Sequence, residues 1–358
     1  MRNTLNWLKE SVDKEVFALT EGLTDYIGEG EFSALLGKVL GDYNGSGSKR
    51  LRGVLMLAGY LGFQERLISA PVKAAASMEL MHSFALIHDD LIDKAELRRG
   101  RPALHLAFAK GCSGIRKRDC GESMAMVAGD ILFAYGVRMF IDACRGMPQG
   151  WQALDVLMGS AVNTGEGQFN ELAYTTFGIE ARTEEEVWRV YDMKTGDYTF
   201  RTPLRIGCLL GGADDALIRE VDRAGWLMGR AYQLLDDLYD LTLCDNGQHK
   251  TGFSDLRTGI LTIPLLRLYH RCGQEEKGVI KGVLSNGASD RSEYLRVSEL
   301  IREKGVYSEL LKEAESFCMD AERLIKGSGC SVVLKGYMGE VLDRWIRKSS
   351  LYSERGGE

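Results

Sequence analysis

Apolar residues recur at spacings of three and four along almost the whole of this 358-residue chain, and sustained alternation does not occur. That period lays one apolar stripe along an α-helix, so the pattern predicts a helical protein and offers little to a sheet. Long amphipathic segments are expected at roughly 3–27, 50–63, 70–93, 121–145, 150–176, 184–210 and 214–243. Weaker ones follow at roughly 258–271, 291–304, 306–326 and 331–349. Only five prolines occur in the chain, as expected where helix interiors reject them. Pro71 falls where a first helical turn accepts it, and Thr183 followed by Glu186 predicts a capping box. Asn44-Gly-Ser-Gly-Ser48 reads as a short flexible loop. With no clean linker and no repeat of fixed period, the expectation is one all-α domain over 1–358. Its helices would form a bundle around a deep central cavity.

A net charge of −6 supplies no basic face, so a nucleic-acid partner is not expected. The eight cysteines are scattered through apolar stretches without a C-x-x-C pair, which favours reduced, buried thiols. No signal-peptide core and no run of about 18 apolar residues marks a membrane span. A soluble, cytoplasmic protein is the expectation.

Two acid clusters share one spacing: Asp89-Asp90-Leu-Ile-Asp93 and Asp236-Asp237-Leu-Tyr-Asp240. Aspartates four apart lie on one helix face and repel unless a cation sits between them. Such hard oxygen donors suit magnesium, which takes one or two carboxylates together with substrate phosphates and water. One such motif alone reads equally well as a solvated acidic face. Yet His82-Ser-Phe-Ala-Leu-Ile-His88 and Tyr232-Gln-Leu-Leu235, which lead into the acids, are largely apolar, as in buried helices. Basic residues alternate with the acids: Lys49-Arg-Leu-Arg52, Arg98-Arg-Gly-Arg101, Lys194-Thr195 and Lys250. Each is by default a solvated run, but phosphate needs such donors. The alternation suggests two clusters facing across a cavity and clamping one diphosphate through bridging ions.

Gly47-Ser-Lys49-Arg-Leu-Arg52, Asp89-Asp-Leu-Ile-Asp93 with Arg98-Arg-Gly, Gly167-Gln168, Lys194-Thr195 and Tyr232-Gln-Leu-Leu-Asp236-Asp-Leu-Tyr-Asp240 follow one another in that order. Together they resemble the ordered motif set of the trans-isoprenyl diphosphate synthases over roughly residues 45–265. The resemblance implies an all-α fold, usually a homodimer, that condenses isopentenyl diphosphate with allylic diphosphates using Mg2+, three ions being expected. It implies that Asp89, Asp90, Asp93, Asp236 and, less directly, Asp240 hold magnesium on the allylic diphosphate, with Asp237 in the catalytic set. Arg98, Lys194 and Lys250 would neutralise that diphosphate as it leaves. Lys49, Arg52, His82 and Arg99 would grip the diphosphate of isopentenyl diphosphate. Gln233 would sit beside the second metal cluster, with Thr195 and Gln168 as polar helpers near the allyl cation.

Phe84 lies five residues before Asp89 and Ala85 four before, while Met81 and Ser77 continue from Phe84 along one helical stripe. Ordinary core packing would produce the same stripe. In the family a bulky residue at the fifth upstream position limits chain growth. The resemblance therefore implies a twenty-carbon product first and a fifteen-carbon product second. Three departures from the family pattern stand out. Ile260 follows Asp255-Leu-Arg-Thr-Gly259 where a lysine is usual, Glu171 replaces a common aspartate, and Ser48 replaces a glycine. Arg257 is a candidate to compensate for Ile260. Two other readings stay open: a class I terpene cyclase, against which the Asp-rich second motif argues, and a non-catalytic partner subunit, which Ile260 keeps in play.

Overall fold

The computed structural model describes residues 5–45, 48–111, 116–242, 252–286 and 291–347. The chain divides into two compact units, Met1–Leu154 with Ile206–Ala213, and Asp155–Arg205 with Asp214–Glu358.

The first unit opens with α1 (Leu5–Ile27), α2 (Glu31–Asn44), α3 (Leu51–Leu61) and α4 (Ser69–Ile92). A small hairpin, β1 (Leu97–Arg98) and β2 (Arg101–Pro102), leads to α5 (Leu104–Gly111) and α6 (Lys117–Cys144). In α1 the buried residues Leu5, Leu8, Val12, Val16, Leu19 and Leu23 repeat at three and four, the stripe the sequence predicts. Each fully buried Leu or Val contributes about 1.5–3 kcal/mol. α4 packs against α1, α3 and α6, and is buried almost continuously from Ala74 to Met81. α6 is long and apolar enough, by composition alone, to cross a membrane. One face of it packs on α4 and α5, while Met126 and Val127 stay exposed.

The second unit takes in most of α7 (Gly150–Phe177), then α8 (Glu184–Tyr191) and the start of α9 (Thr202–Gly211), whose later part belongs to the first unit. α10 (Asp215–Thr242), α11 (Ser254–Thr258), α12 (Ile263–Arg271) and α13 (Gln274–Asn286) follow. The series closes with α14 (Arg291–Glu303), α15 (Val306–Gly327) and α16 (Val332–Val341). The central pairing is α10 with α15. The predicted capping box is present: the Thr183 side chain accepts from Glu186 N at 3.3 Å, and Glu186 Oε2 accepts from Thr183 N at 2.8 Å.

The all-α expectation holds, with one instructive difference. The segment expected as a single helix over 184–210 is broken in the middle by a stretch with π-type hydrogen bonds, Asp192–Arg201. Its turns are widened where it meets α10. A Cβ added to Gly229 would lie only 2.5 Å from Gly196 Cα, so the two backbones touch there. Two forked ion pairs hold the ends of the stretch to α10. Arg230 donates to both oxygens of Asp192 at 2.8 and 2.7 Å, and Arg201 to both oxygens of Asp222 at 3.1 and 2.6 Å. The Arg230 guanidinium also lies over the rings of Trp226 and Trp188, at 4.1 and 4.5 Å. Wide turns inside helices often mark functional positions, and this one carries Lys194 and Thr195.

Candidate active site

The first acid cluster ends α4, with Asp93 as the C-cap. Asp89 and Asp93 keep part of their surface accessible, whereas Asp90 is fully buried. Arg98 supplies the reason. Its Nε donates to Asp90 Oδ1 at 2.8 Å, and its Nη2 donates to the same oxygen. Asp90 Oδ2 is buried and accepts no hydrogen bond. Burial pushes the Asp90 pKa up, opposed by the Arg98 guanidinium. The hairpin delivers Arg98 to this place. Arg99 and Gly100 both have positive φ, 53° and 74°, as a two-residue turn of the mirror-image type requires. That turn sets Arg98 opposite Arg101.

A basic group surrounds His82. Arg52, Arg99, Arg98 and Arg50 all act on its ring, and together with burial, the largest cause, they hold its pKa well below 6.5. Lys49 is exposed, and Arg52 and Arg99 are half-buried. The sequence reading passed over three members of this neighbourhood. Arg50 is turned inward, to Asp13 at 2.8 Å and the Asn44 carbonyl oxygen at 2.5 Å. Glu79 lies 3.9 Å from Arg50 and is 1% exposed. The Tyr43 hydroxyl has its pKa pushed up by burial and then by Asp90. No spacing rule marks Tyr43, which only the packing of α2 brings here, whereas Glu79 lies three residues before His82 on α4 and that spacing could have found it.

A pH effect follows from His82. Because folding holds the ring neutral, the unfolded chain takes up a proton first as pH falls below about 6.5. His82 stabilises the fold fully above that pH and less below it, down to its depressed native pKa. Denaturant midpoints should therefore drop from about pH 7 toward about pH 5.5, and His82→Gln should flatten that slope. His105, also held down by burial, keeps part of it. An unaltered slope in His82→Gln would assign the effect elsewhere.

The second cluster lies on α10. Asp236 is exposed, Asp240 half-buried and Asp237 buried. Asp237 Oδ2 accepts from the Tyr191 hydroxyl, and Oδ1 accepts from Gln233 Nε2 at 2.7 Å. Thr195 Oγ1 in turn donates to Gln233 Oε1 at 2.7 Å, so Thr195 and Gln233 are joined as neighbours. Tyr191 Oη also accepts from Ile263 N at 2.9 Å, tying α10 to the start of α12. Asp240 accepts from Ser254 Oγ at 2.8 Å and from Asp255 N at 3.1 Å. Burial, with Asp240, Asp237, Asp236 and Glu171 nearby, pushes the Asp255 pKa well up, and burial does the same to Asp237. Asp255 and Tyr191 are members that the sequence reading missed. Asp255 was visible only as the first letter of Asp255-Leu-Arg-Thr-Gly259, and Tyr191 carried no signal.

Tyr191→Phe should cost about 1–3 kcal/mol, because it removes one donor from a buried carboxylate and orphans the Ile263 N–H. Denaturant unfolding measures this, and an unchanged midpoint would deny the hydroxyl that role.

Lys194 donates to Glu171 Oε2 at 2.7 Å, and Gln168 Nε2 donates to the same oxygen at 3.2 Å. Lys194, Glu171 and Gln168 thus form one group, with glutamate serving where aspartate is usual. Ile260 is half-buried, and its N–H donates to the Asp255 carbonyl oxygen at 2.9 Å. Arg257 is exposed and donates to the Gly252 carbonyl oxygen. Lys250 and Gly47 lie outside the described residues. On α4, Ser77 and Met81 are buried, while Phe84 and Ala85 are half-buried. Among the described residues, no three His, Cys, Asp or Glu side chains gather into a metal site of their own. The carboxylates that keep accessible surface, Asp89 and Asp93 on α4 and Asp236 and Asp240 on α10, are hard oxygen donors of the kind that suit a cation bringing its remaining ligands with it.

The polyprenyl synthetase family pattern matches residues 33–301. The chain belongs to the polyprenyl synthetase family. It is a prenyltransferase, an isoprenyl diphosphate synthase, and enzymes of this family use a divalent metal. Among its relatives is the geranylgeranyl diphosphate synthase of Sulfolobus acidocaldarius, 29% identical over 72% of this chain and 74% of the relative. The geranylgeranyl diphosphate synthase of Methanosarcina mazei is also 29% identical, over 69% of this chain and 70% of the relative. The fold matches a geranylgeranyl pyrophosphate synthase of Corynebacterium glutamicum, complexed with isoprenyl diphosphate and magnesium. That match has a TM-score of 0.89 at 22% identity, covering 96% of this chain and 99% of the other. The polyprenyl synthetase is thus an all-α protein of the isoprenoid synthase fold.

Proposed function

We propose that this polyprenyl synthetase is a short-chain trans-prenyltransferase that condenses isopentenyl diphosphate with allylic diphosphates. Geranylgeranyl diphosphate is its main product and farnesyl diphosphate the second choice. The observation that carries the reading is Phe84, half-buried five residues before Asp89 with its ring 5.0 Å from that of Phe133. The names of the Sulfolobus and Methanosarcina relatives support the same product.

Asp89 and Asp93 in the first unit, and Asp236 and Asp240 in the second, would hold magnesium, and Asp90 would fix Arg98 beside the first cluster. Bound magnesium supplies Lewis acidity toward the developing charge of the departing diphosphate. Arg98 and Lys194 add preorganised positive charge to that diphosphate, which lowers the cost of breaking the allylic carbon–oxygen bond. Lys49, Arg52, Arg99 and the neutral His82 bind isopentenyl diphosphate and orient its double bond. Thr195 and Gln168 would serve as polar helpers near the allyl cation, and Gln233, bonded to Asp237, would sit beside the second metal cluster. The released diphosphate takes the proton that the new bond displaces, so no further base is required. Lys250 belongs to the same leaving-group set.

The chain works as a homodimer on this reading. Val162 and Phe169, one turn-multiple apart on α7 and each 71% exposed, support an apolar contact with a second copy, and light scattering tests it. The test of function is to incubate the purified protein with magnesium, isopentenyl diphosphate and each of dimethylallyl, geranyl and farnesyl diphosphate, then measure product length. Twenty carbons is the expected main product, and no condensation with any starter would overturn the reading. Ile260 favours a second reading, a regulatory subunit of a heteromeric prenyl synthase. Turnover by the purified chain alone would exclude it.

A further inference from the structure

The widened stretch Asp192–Arg201 lies between two bare patches of backbone. On the α10 side, Gly196 touches Gly229. On the α7 side, a Cβ added to Gly167 would fall 3.2 Å from Lys194 N and 3.4 Å from Lys194 Cβ. The two glycines set how closely the stretch approaches its neighbours. Neither has a side chain with which to set its rotation.

Rotation matters here more than in a regular helix. Each helical residue advances by about 100°, and a widened turn takes in one residue more than an α-turn. The place where the widening starts therefore decides which side chain faces which neighbour. Two contacts depend on that register. Lys194 Nζ donates to Glu171 Oε2 at 2.7 Å, and Thr195 Oγ1 donates to Gln233 Oε1 at 2.7 Å.

Arg230 holds the point at which the stretch begins. Its two N–H···O bonds to the carboxylate of Asp192, the first residue of the stretch, fix a direction as well as a distance. The guanidinium is itself held over the rings of Trp226, from α10, and Trp188, from α8. The Arg230 and Asp192 side chains are only 19% and 23% exposed, so water competes little for the pair. Lys194 follows two residues after Asp192.

We infer that Arg230 is a positioning residue for prenyl transfer, acting through Asp192 to aim Lys194 at the departing diphosphate. This rests on Lys194 acting at the leaving group, as proposed above. Arg230→Lys keeps the positive charge but loses both the fork and the stacking on the indoles. A displacement of about 1 Å at a group that acts on the reacting atoms can cost about a hundredfold in rate.

The test measures single-turnover rates with the protein in excess over geranyl diphosphate, with magnesium and a range of isopentenyl diphosphate concentrations. The parent is compared with Arg230→Lys, Lys194→Ala and the double variant. Arg230→Lys is expected to slow the saturated rate by about tenfold or more. The half-saturating isopentenyl diphosphate concentration should stay within about twofold of the parent, since its proposed ligands Lys49, Arg52 and Arg99 belong to the other unit. In the Lys194→Ala background the same change should add less than about twofold. A residue that served only stability would slow both backgrounds by the same factor. Equal factors therefore overturn the inference, as does a parent rate in Arg230→Lys beside a slowed Lys194→Ala, which leaves the role of Lys194 standing. A parent rate in Lys194→Ala overturns both. If Arg230→Lys does not fold, Asp192→Asn, which leaves one acceptor oxygen in place of two, is read in its place by the same criteria.

Discussion

Asp236→Ala lowers kcat/KM for the allylic diphosphate by about a hundred- to a thousandfold, while the unfolding midpoint hardly moves. The two halves of that expectation come from one pair of neighbours on α10. Asp236 is exposed, and surface substitutions away from special features stay within about 0.5 kcal/mol. Asp237, beside it, is 2% exposed and receives hydrogen bonds from Tyr191 and Gln233. Asp237 is therefore the carboxylate that braces this stretch of α10, and Asp236 is the one left accessible to the metal proposed for it. Asp237→Ala should lose stability as well as activity, since it strands the Tyr191 hydroxyl and the Gln233 amide in a buried place. Steady-state rates across a magnesium titration, set beside denaturant unfolding of both variants, separate the roles. Parent-like activity in Asp236→Ala would overturn the metal assignment.

The helices and acid clusters were more legible in the sequence than the contacts that hold them in place. Helix positions and acid clusters could be read because they depend on spacing along one helix, and α4 and α10 begin and end within a residue or two of expectation. The hidden parts depend on what a second element brings. α2 was not foreseen, yet it supplies Tyr43 to the neighbourhood of Asp90. The wide turn at Asp192–Arg201 has an ordinary helical pattern. Only the approach of Gly196 to Gly229, and the ion pairs at its two ends, force the extra residue per turn. Tyr191 sits on the apolar stripe of α8 and reads there as core, although its hydroxyl joins Asp237 to Ile263. The Phe84 stripe was visible from α4 alone, but its partner Phe133 was not, since the α4–α6 register is set by glycines with no side chain to announce it.

The basic run Lys49-Arg-Leu-Arg52 reads as one phosphate-binding stretch, but its members have different work, and Arg50→Met should show this with a loss of about 3–5 kcal/mol in stability. Arg50 caps α3 with φ at +51°, a conformation that costs an L-residue about 1–2 kcal/mol. Its ion pairs hold it there. The guanidinium bonds Asp13 and the Asn44 carbonyl oxygen and faces Glu79, and it is only 4% exposed itself. Methionine fills much of the same volume but leaves Glu79 a buried carboxylate without the Arg50 charge, still accepting from the Gly53 N–H at 2.9 Å. Removing one partner of a buried ion pair is the costly case, because the survivor stays out of water without its counter-charge. Lys49 is exposed, so Lys49→Ala should leave the unfolding midpoint alone and raise KM for isopentenyl diphosphate. The contrast is what the experiment reads: equal midpoints for Arg50→Met and the parent would mean that the Asp13–Arg50–Glu79 group does not hold the start of α3, and that Arg50 belongs with its neighbours as a ligand for phosphate.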